Sequence, residues 1–541
     1  MKSRVLWFSL IVVAILLWTA TLSIRPLYEP DEGRYAEVAR EMFVSGDWTT
    51  PRLNGVKFFD KPPLQYWATA AAFAVFGVSE WSARLWSSLI GASAILVAGW
   101  SATALFGRRV GLASALVLAG SPLWILGSNL TTTDIGVGAL LGNAVLVYAV
   151  AVRNADRRLY PIVWGLVGLA FLAKGLIAIV LPAATMVVYA VLTRQFGLFR
   201  SRAFWIWGLF ACVLALPWIV AVSVRNPEFL NYFFVHEHLA RFTSSVHARN
   251  KPAWFFAAVL VAGMLPWAGV IPATVWQRCR PARRSGTFDP RLFLLVWTLI
   301  VLVFFSVSRS KLPLYLLPAF PPLAVLVGDA ILRVRTRWVV VGCSLMVILG
   351  ILIAGLQWIP ELSDKVLKRG ISDLGHFSFW STLTIGALVV GGLGACALAL
   401  SGRRGIAVAV AALASIGSLQ LGLVASMAFE SLSIKPIGLT VKASRRADTA
   451  LFNVGQIDRG LAFYSEMLPQ VVVARDELDL GFSVDPQRWI DSYATFLLRW
   501  RERGHKLAVM REATFAQLSP DLGPESLVVA RRGTTVLVEK R

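Results

Sequence analysis

Apolar residues fall into long runs separated by short polar breaks, and the length of the runs sets the first expectation. Residues 5–24, 203–224, 338–356 and 406–428 each approach or exceed the roughly 20 residues a helix needs to cross about 30 Å of hydrocarbon. The breaks alternate in character. Seven of them, "MKSR", "GRR", "RNADRR", "RQFGLFRSR", "RCRPARRSG", "RVRTR" and "GRRG", hold 19 basic residues against a single acid, Asp156. Such loops stay on the cytoplasmic side. The intervening breaks (25–80, 129–134, 225–253, 307–314 and 358–378) hold most of the other acids ahead of the tail and most of the His, and face the opposite side. Between "RNADRR" and "RQFGLFRSR" the chain must cross twice to return to the same side, so the apolar stretch interrupted by "AKG" at Lys174 reads as two short helices. The pattern predicts thirteen transmembrane helices, and the first run is an anchor, being longer than the apolar part of a signal peptide and lacking a cleavage site.

The first long break, 25–80, has its own pattern. After Pro30, Tyr35, Val38, Ala39, Met42 and Phe43 recur at helical spacing, while Glu32, Arg34, Glu37, Arg40 and Glu41 avoid that stripe. This predicts an amphipathic helix lying on the membrane surface. Asp31 and Glu32 open it, where they would cap it and oppose its dipole. Residues 62–77 are apolar but short, and form a second interfacial helix. Beyond residue 429 the composition turns polar, with mixed strand and helix signals in "QVVVARDEL", "WIDSYATFLLRWRERG" and "SLVVARRGTTVLVEKR". The expected division is therefore a transmembrane domain at 1–429 and, at 430–541, an α/β domain that an odd span count places outside the cytoplasm.

Composition changes this picture little. The chain is 57% hydrophobic and 16% charged, and its net charge of +22 resides mostly in the short breaks that set orientation, so nucleic acid is excluded as a partner. Cys212, Cys279, Cys343 and Cys396 fall in spans or on the cytoplasmic side, so no disulfide framework is expected.

The stretch "RPLYEPDEGRYAEVAREMFVSGDWTTPRLNGVKFFDKPPLQYW" resembles the first periplasmic loop of the aminoarabinose transferases that modify lipid A. Those enzymes belong to the wider GT-C group of membrane glycosyltransferases using polyprenyl-phosphate sugars, which includes the protein O-mannosyltransferases. "SKLPLYLLP" fits the same family's Lys-x-x-x-Tyr-x-x-Pro pattern at Lys311, Tyr315 and Pro318. The resemblance implies a lipid-to-lipid pentosyltransferase in the bacterial inner membrane. Its donor would be undecaprenyl phosphate-aminoarabinose, its acceptor lipid A, and its surroundings membrane lipid. It also implies that Asp31 matches the acid at the catalytic centre.

Transfer away from a phosphate needs cations to stabilise charge as the glycosidic bond breaks. Lys61 in "FDKPPL" is one, against the alternative of a Lys that snorkels to headgroups. Arg241 and Arg249 in "HEHLARFTSSVHARN", and Arg309 and Lys311, are others. An acceptor phosphate is already anionic, so Asp31 need not act as a strong base. It either orients a divalent ion or meets the amine of the sugar, as Glu32 and Asp134 would. Asp134 in "TTTDIG" is either such an acid or a helix cap. Asp31, Lys61 and Asp134 are thus the catalytic candidates, and Glu32, Arg34, Lys174, Arg241, Arg249, Lys311 and Tyr315 the substrate-binding ones. Lys174 either reaches the acceptor or snorkels. No cofactor is required, although His236 and His238, with His247 beyond them, leave a divalent metal open; their spacing matches no common zinc pattern. The rivals are a protein O-mannosyltransferase and a lipid-linked sugar transporter. A transporter would show paired halves with broken helices, and no such duplication is present.

Overall fold

In the computed structural model residues 18–233, 251–279, 287–357 and 370–540 are described. The chain divides into two compact units. One comprises Met1–Thr21, Trp86–Ile359 and Ser378–Val424; the other comprises Leu22–Leu85, Pro360–Phe377 and Ala425–Arg541.

The first is the membrane unit. Among the described residues eight helices are long and apolar enough to span, or ten if each of two bent pairs is one span. The expected thirteen are therefore not all counted there, and residues 5–17 of the first run lie outside the described part. Between the two Arg-bearing breaks stand two short apolar helices, Tyr160–Lys174 and Ile177–Thr193, parted at Gly175, whose φ of +83° suits glycine. Arg202–Arg225 and Leu374–Leu400 leave Val213, Leu209, Val390 and Leu393 exposed, the surface that lipid takes. Thr133–Arg153, by contrast, is buried along nearly all of its length. Close approach explains how: a Cβ on Gly138 would lie 2.7 Å from Leu317, and one on Gly142 2.5 Å from Pro321. These two glycines, four apart on one face, seat against the buried helix the short 3-10 helix Pro313–Ala319, through Leu317, and the start of the helix Phe320–Ile331 that follows it, through Pro321.

The second unit combines the first loop with the tail. In the loop, a hairpin of β1 (Arg52–Leu53) and β2 (Val56–Lys57) lies between the helices Asp31–Ser45 and Leu64–Phe76. The second of these, at 13 residues, is too short to span. The tail forms a six-stranded sheet from β3 (Ala450–Val454), β4 (Gln470–Val472), β5 (Trp489–Ile490), β6 (Lys506–Arg511), β7 (Ser526–Arg532) and β8 (Thr535–Lys540), ordered β5-β4-β3-β6-β8-β7. The first four strands in that order run parallel, whereas β8 is antiparallel to both β6 and β7. Central β3 and β6 are buried on both faces, as parallel strands covered on both sides are. One core joins Tyr35, Val38, Met42, Tyr66 and Phe73 of the loop to Ile437, Leu451, Leu507 and Leu537 of the tail.

That shared core corrects the reading of the Asp31–Ser45 helix. Its polar face is not left to water: Glu32, Arg34, Glu37, Arg40 and Glu41 are all buried. Each has a partner in the fold, near or distant in sequence, which makes burial tolerable. Arg40 donates to both oxygens of Glu37 at 2.7 Å, and Glu41 accepts the Gly55 N–H. Gly33 permits the approach of the tail, since a Cβ there would lie 2.8 Å from the Gly460 nitrogen.

Candidate active site

Asp31 begins its helix but is not its cap residue; that position belongs to Pro30, which supplies no side-chain acceptor. The Asp31 carboxylate is 44% exposed and lies 3.9 Å from Arg34 Nη2. Arg34 is in turn ion-paired with Glu477 of the tail at 3.2 Å, and Arg459 donates to Glu477 at 2.5 and 2.6 Å. Burial alone would raise the Glu477 pKa, but Arg459 and Arg34 hold it well below the usual carboxylate range. Lys61 donates to the Asp60 carboxylate at 2.7 Å and to its carbonyl at 2.8 Å, and its side chain is 13% exposed. Asp31 and Asp60 both act electrostatically on Arg34 and on the Tyr35 hydroxyl, whose pKa is pushed up first by burial. The loop thus gathers Asp31, Arg34, Tyr35, Asp60 and Lys61 into one charged patch with an accessible carboxylate at its edge.

Glu32 is placed differently from its neighbour. It is buried, accepting from Arg25 at 2.7 Å, from Arg84 at 2.7 and 3.0 Å and from the Tyr28 N–H at 3.0 Å. Burial would raise its pKa, but Arg25 and Arg84 bring it down to about 2. Both carboxylate oxygens are engaged by the protein, so the expected substrate contact gives way to a clamp on the loop. Arg34, buried between Asp31 and Glu477, likewise holds loop to tail. Sequence reasoning passed over Arg84, Asp60, Glu477 and Arg459. Arg84 did carry a signal, because a lone guanidinium near the start of an apolar helix is costly without a partner.

In the membrane unit three separate candidates meet. Asp134, in the first turn of Thr133–Arg153, is ion-paired with Lys174 at the C-terminal end of Tyr160–Lys174. The Lys174 ammonium lies over the Tyr315 ring, 4.3 Å from its centroid, a cation–π contact. Four residues before Tyr315, Lys311 is buried and donates to the Ser308 carbonyl at 2.6 Å. Lys174 therefore does not snorkel. Its partner is the acid of "TTTD", and the glycine-seated Pro313–Ala319 helix supplies the aromatic lid. If the pair is coupled, a double-mutant cycle of Asp134→Asn and Lys174→Met, read by thermal unfolding in detergent, gives an interaction of at least about 1 kcal/mol. Strict additivity would dissolve the pair as a unit.

His236, His238, Arg241 and Arg249 lie outside the described residues. Among the described residues no group of three or more His, Cys, Asp or Glu could hold a metal ion.

Comparison with known proteins bears on both units. A model of the dolichyl-phosphate-mannose-protein mannosyltransferase family matches residues 60–220, and one of the aminoarabinose transferase C-terminal domain matches residues 437–540. The undecaprenyl phosphate-α-4-amino-4-deoxy-L-arabinose arabinosyl transferase 1 of Sodalis glossinidius is 34% identical over 413 residues, covering 72% of this chain and 70% of that one. The chain belongs to the aminoarabinose transferases. Another arabinosyl transferase, from Pseudomonas aeruginosa, is 34% identical over 342 residues; the match covers 62% of this chain but only 61% of that relative's length. Aminoarabinose transferases also supply the structural likeness. ArnT from Cupriavidus metallidurans, in its crystal structure bound to undecaprenyl phosphate, superposes with a TM-score of 0.88 at 32% identity over 99% of this chain and 98% of that one. The chain is thus a multi-span membrane glycosyltransferase of the GT-C fold. The first matched segment contains Lys61, Asp134 and Lys174, and the second spans the whole sheet from β3 to β8.

Proposed function

We propose that this chain transfers 4-amino-4-deoxy-L-arabinose from undecaprenyl phosphate to a phosphate of lipid A. The reaction would take place on the periplasmic face of the bacterial inner membrane, with thirteen spans placing the tail on that side. The observation carrying this reading is the end-to-end likeness to a solved ArnT bound to undecaprenyl phosphate, together with relatives named for transfer from that donor. Exposed Val44, Val75 and Phe76, at the C-terminal ends of the two loop helices, suit the interface of a bilayer.

In this reaction an oxygen of the acceptor phosphate attacks the anomeric carbon. The bond from that carbon to the donor phosphate breaks, and undecaprenyl phosphate leaves with the electron pair. The transition state carries developing positive charge on the sugar and negative charge on the leaving phosphate. Lys61 is assigned to the leaving phosphate. Asp31, the accessible acid of the loop patch, is assigned to the cationic side, where the oxocarbenium character and the sugar's amine both reside. The pair Asp134–Lys174 with Tyr315, and Lys311, are assigned to holding the substrates in the membrane unit. Arg241 and Arg249 remain candidates for phosphate.

Adding an amine to lipid A masks anionic charge on which cationic peptides depend, worth about 1 kcal/mol per basic residue at a surface. Deleting the chain is therefore expected to remove the aminoarabinose adduct from lipid A, seen by mass spectrometry, and to sensitise cells to polymyxin-like peptides. Persistence of the adduct, with glycosylated Ser or Thr disappearing from secreted proteins, would transfer the assignment to an O-mannosyltransferase, the family whose model matches residues 60–220.

A further inference from the structure

The loop–tail unit contains a cavity of about 650 Å³ that the transfer chemistry does not use. It opens at the carboxyl ends of the parallel strands. Gly455 and Asp458 follow β3, Ala474 and Asp476 follow β4, Arg511 ends β6, and Arg532 and Thr534 lie at the β7–β8 turn. The strand order makes this position special. From β3 the chain moves to β4 and β5 on one side, then returns to β6 on the other, so β3 and β6 diverge in their outgoing connections. Such a switch point leaves a crevice beyond the strand ends, and open α/β sheets bind ligands there. Gly455, at φ +71°, keeps the floor of the crevice low, and a Cβ on it would lie 2.9 Å from the Tyr493 hydroxyl.

We propose that this crevice is a binding site for a phosphorylated saccharide, with Arg511 and Arg532 on the phosphate and the hydroxyl- and carboxyl-bearing wall on the sugar. The cations decide the class of ligand. Arg459, also on the wall, is already engaged by Glu477 and Asp476. Among the described residues Arg511 donates from Nε alone, to Gln456 at 3.2 Å, and the buried Nε of Arg532 has no hydrogen-bond partner. Two guanidinium groups with no carboxylate ion pair among the described residues, Arg511 acting on Asp458 only through space, reach one cavity from β6 and from the β7–β8 turn and present the forked donors that phosphate takes in bidentate fashion. The rest of the lining is suited to sugar hydroxyls. Ser431, Ser433 and Thr534 contribute hydroxyls, and Glu29 contributes a carboxyl whose Oε1 accepts the Gly460 N–H at 2.7 Å. Burial foremost, and then Asp458, push the Glu29 pKa up to about 8, so at neutral pH it is a hydrogen-bond donor rather than a charge that repels phosphate. The cavity is of the size that accommodates one or two sugar rings.

The test does not read transfer; its lipid A arm rests on the proposed acceptor, whereas its sugar phosphate arm is independent of it. The full-length protein in nanodiscs is followed by hydrogen–deuterium exchange at 455–460, 511–512 and 532–535. The probes are N-acetylglucosamine 1-phosphate, N-acetylglucosamine, and nanodiscs with or without lipid A. Protection by the soluble sugar phosphate, or by lipid A, with none from the unphosphorylated sugar is the expected result, and the arm that responds identifies the free or the membrane-bound source. Arg511→Gln with Arg532→Gln should weaken half-saturation on the order of tenfold or more, and Arg531→Gln, whose side chain pairs with Glu512, should leave it unchanged. No protection from any probe, equal protection by the unphosphorylated sugar, or an unaltered double variant would overturn the proposal.

Discussion

Asp31→Asn and Lys61→Ala should each reduce transfer to lipid A by a hundredfold or more while the protein still expresses and inserts. A charge contact realised in the transition state is commonly worth on the order of 2.7 to 4 kcal/mol. The geometry separates this result from a structural one. Asp31 is 44% exposed and occupies the first helical turn behind Pro30, so as a mere opponent of the helix dipole its loss costs up to about 1 kcal/mol of stability and leaves the rate alone. Lys61 reaches the Asp60 carboxylate within its own loop, and its removal takes away a cation beside an acid that remains. The check is single-turnover transfer from purified donor, paired with a thermal melt of each variant. A destabilised but fully active Asp31→Asn protein would return that residue to a helix-terminus role, and full activity in Lys61→Ala would leave the donor phosphate without the cation assigned to it.

Arg84→Ala should have a comparable effect on folding rather than on rate. Its guanidinium donates to Glu32 and also to the carbonyls of Leu22, Arg25 and Pro26, at 2.7 to 3.0 Å. Truncation leaves Glu32 buried with Arg25 as its remaining guanidinium partner and deprives three carbonyls of a donor. Removing one partner of a buried pair costs about 3 to 5 kcal/mol. Because the Glu32 pKa is depressed to about 2 in the folded chain, its contribution is complete above the ordinary glutamate range and disappears as pH falls through that range towards 2. The wild-type melt should therefore drop in acid, and the Arg84→Ala melt should start low at neutral pH and depend less on acid. Equal melting temperatures at pH 7 would show that the clamp does not hold the loop.

Legibility from sequence followed the range of the interactions involved. The spans counted among the described residues and the pair of short helices around Gly175 rest on local properties, because hydrocarbon thickness and backbone hydrogen bonding act on each segment separately. The tail was legible only as a polar α/β segment with mixed signals, because the order and pairing of its strands depend on partners distant in sequence. The candidates Asp31, Lys61, Asp134, Lys174 and Tyr315 could be named as residue types suited to the chemistry, but not grouped. Lys174 meets Asp134 forty positions away because the helix Tyr160–Lys174 packs on Thr133–Arg153, and Gly138 lets the Pro313–Ala319 helix bring Tyr315 to the pair. Nor could periodicity tell the exposed Asp31 from the buried Glu32 beside it, since both belong to one charged stripe. That difference is set by Arg25 and Arg84, and the burial of the whole stripe by the tail's core, which joins residues some four hundred positions apart. Only the folded chain brings such partners together, and only their desolvation turns one acid into a clamp while leaving its neighbour exposed.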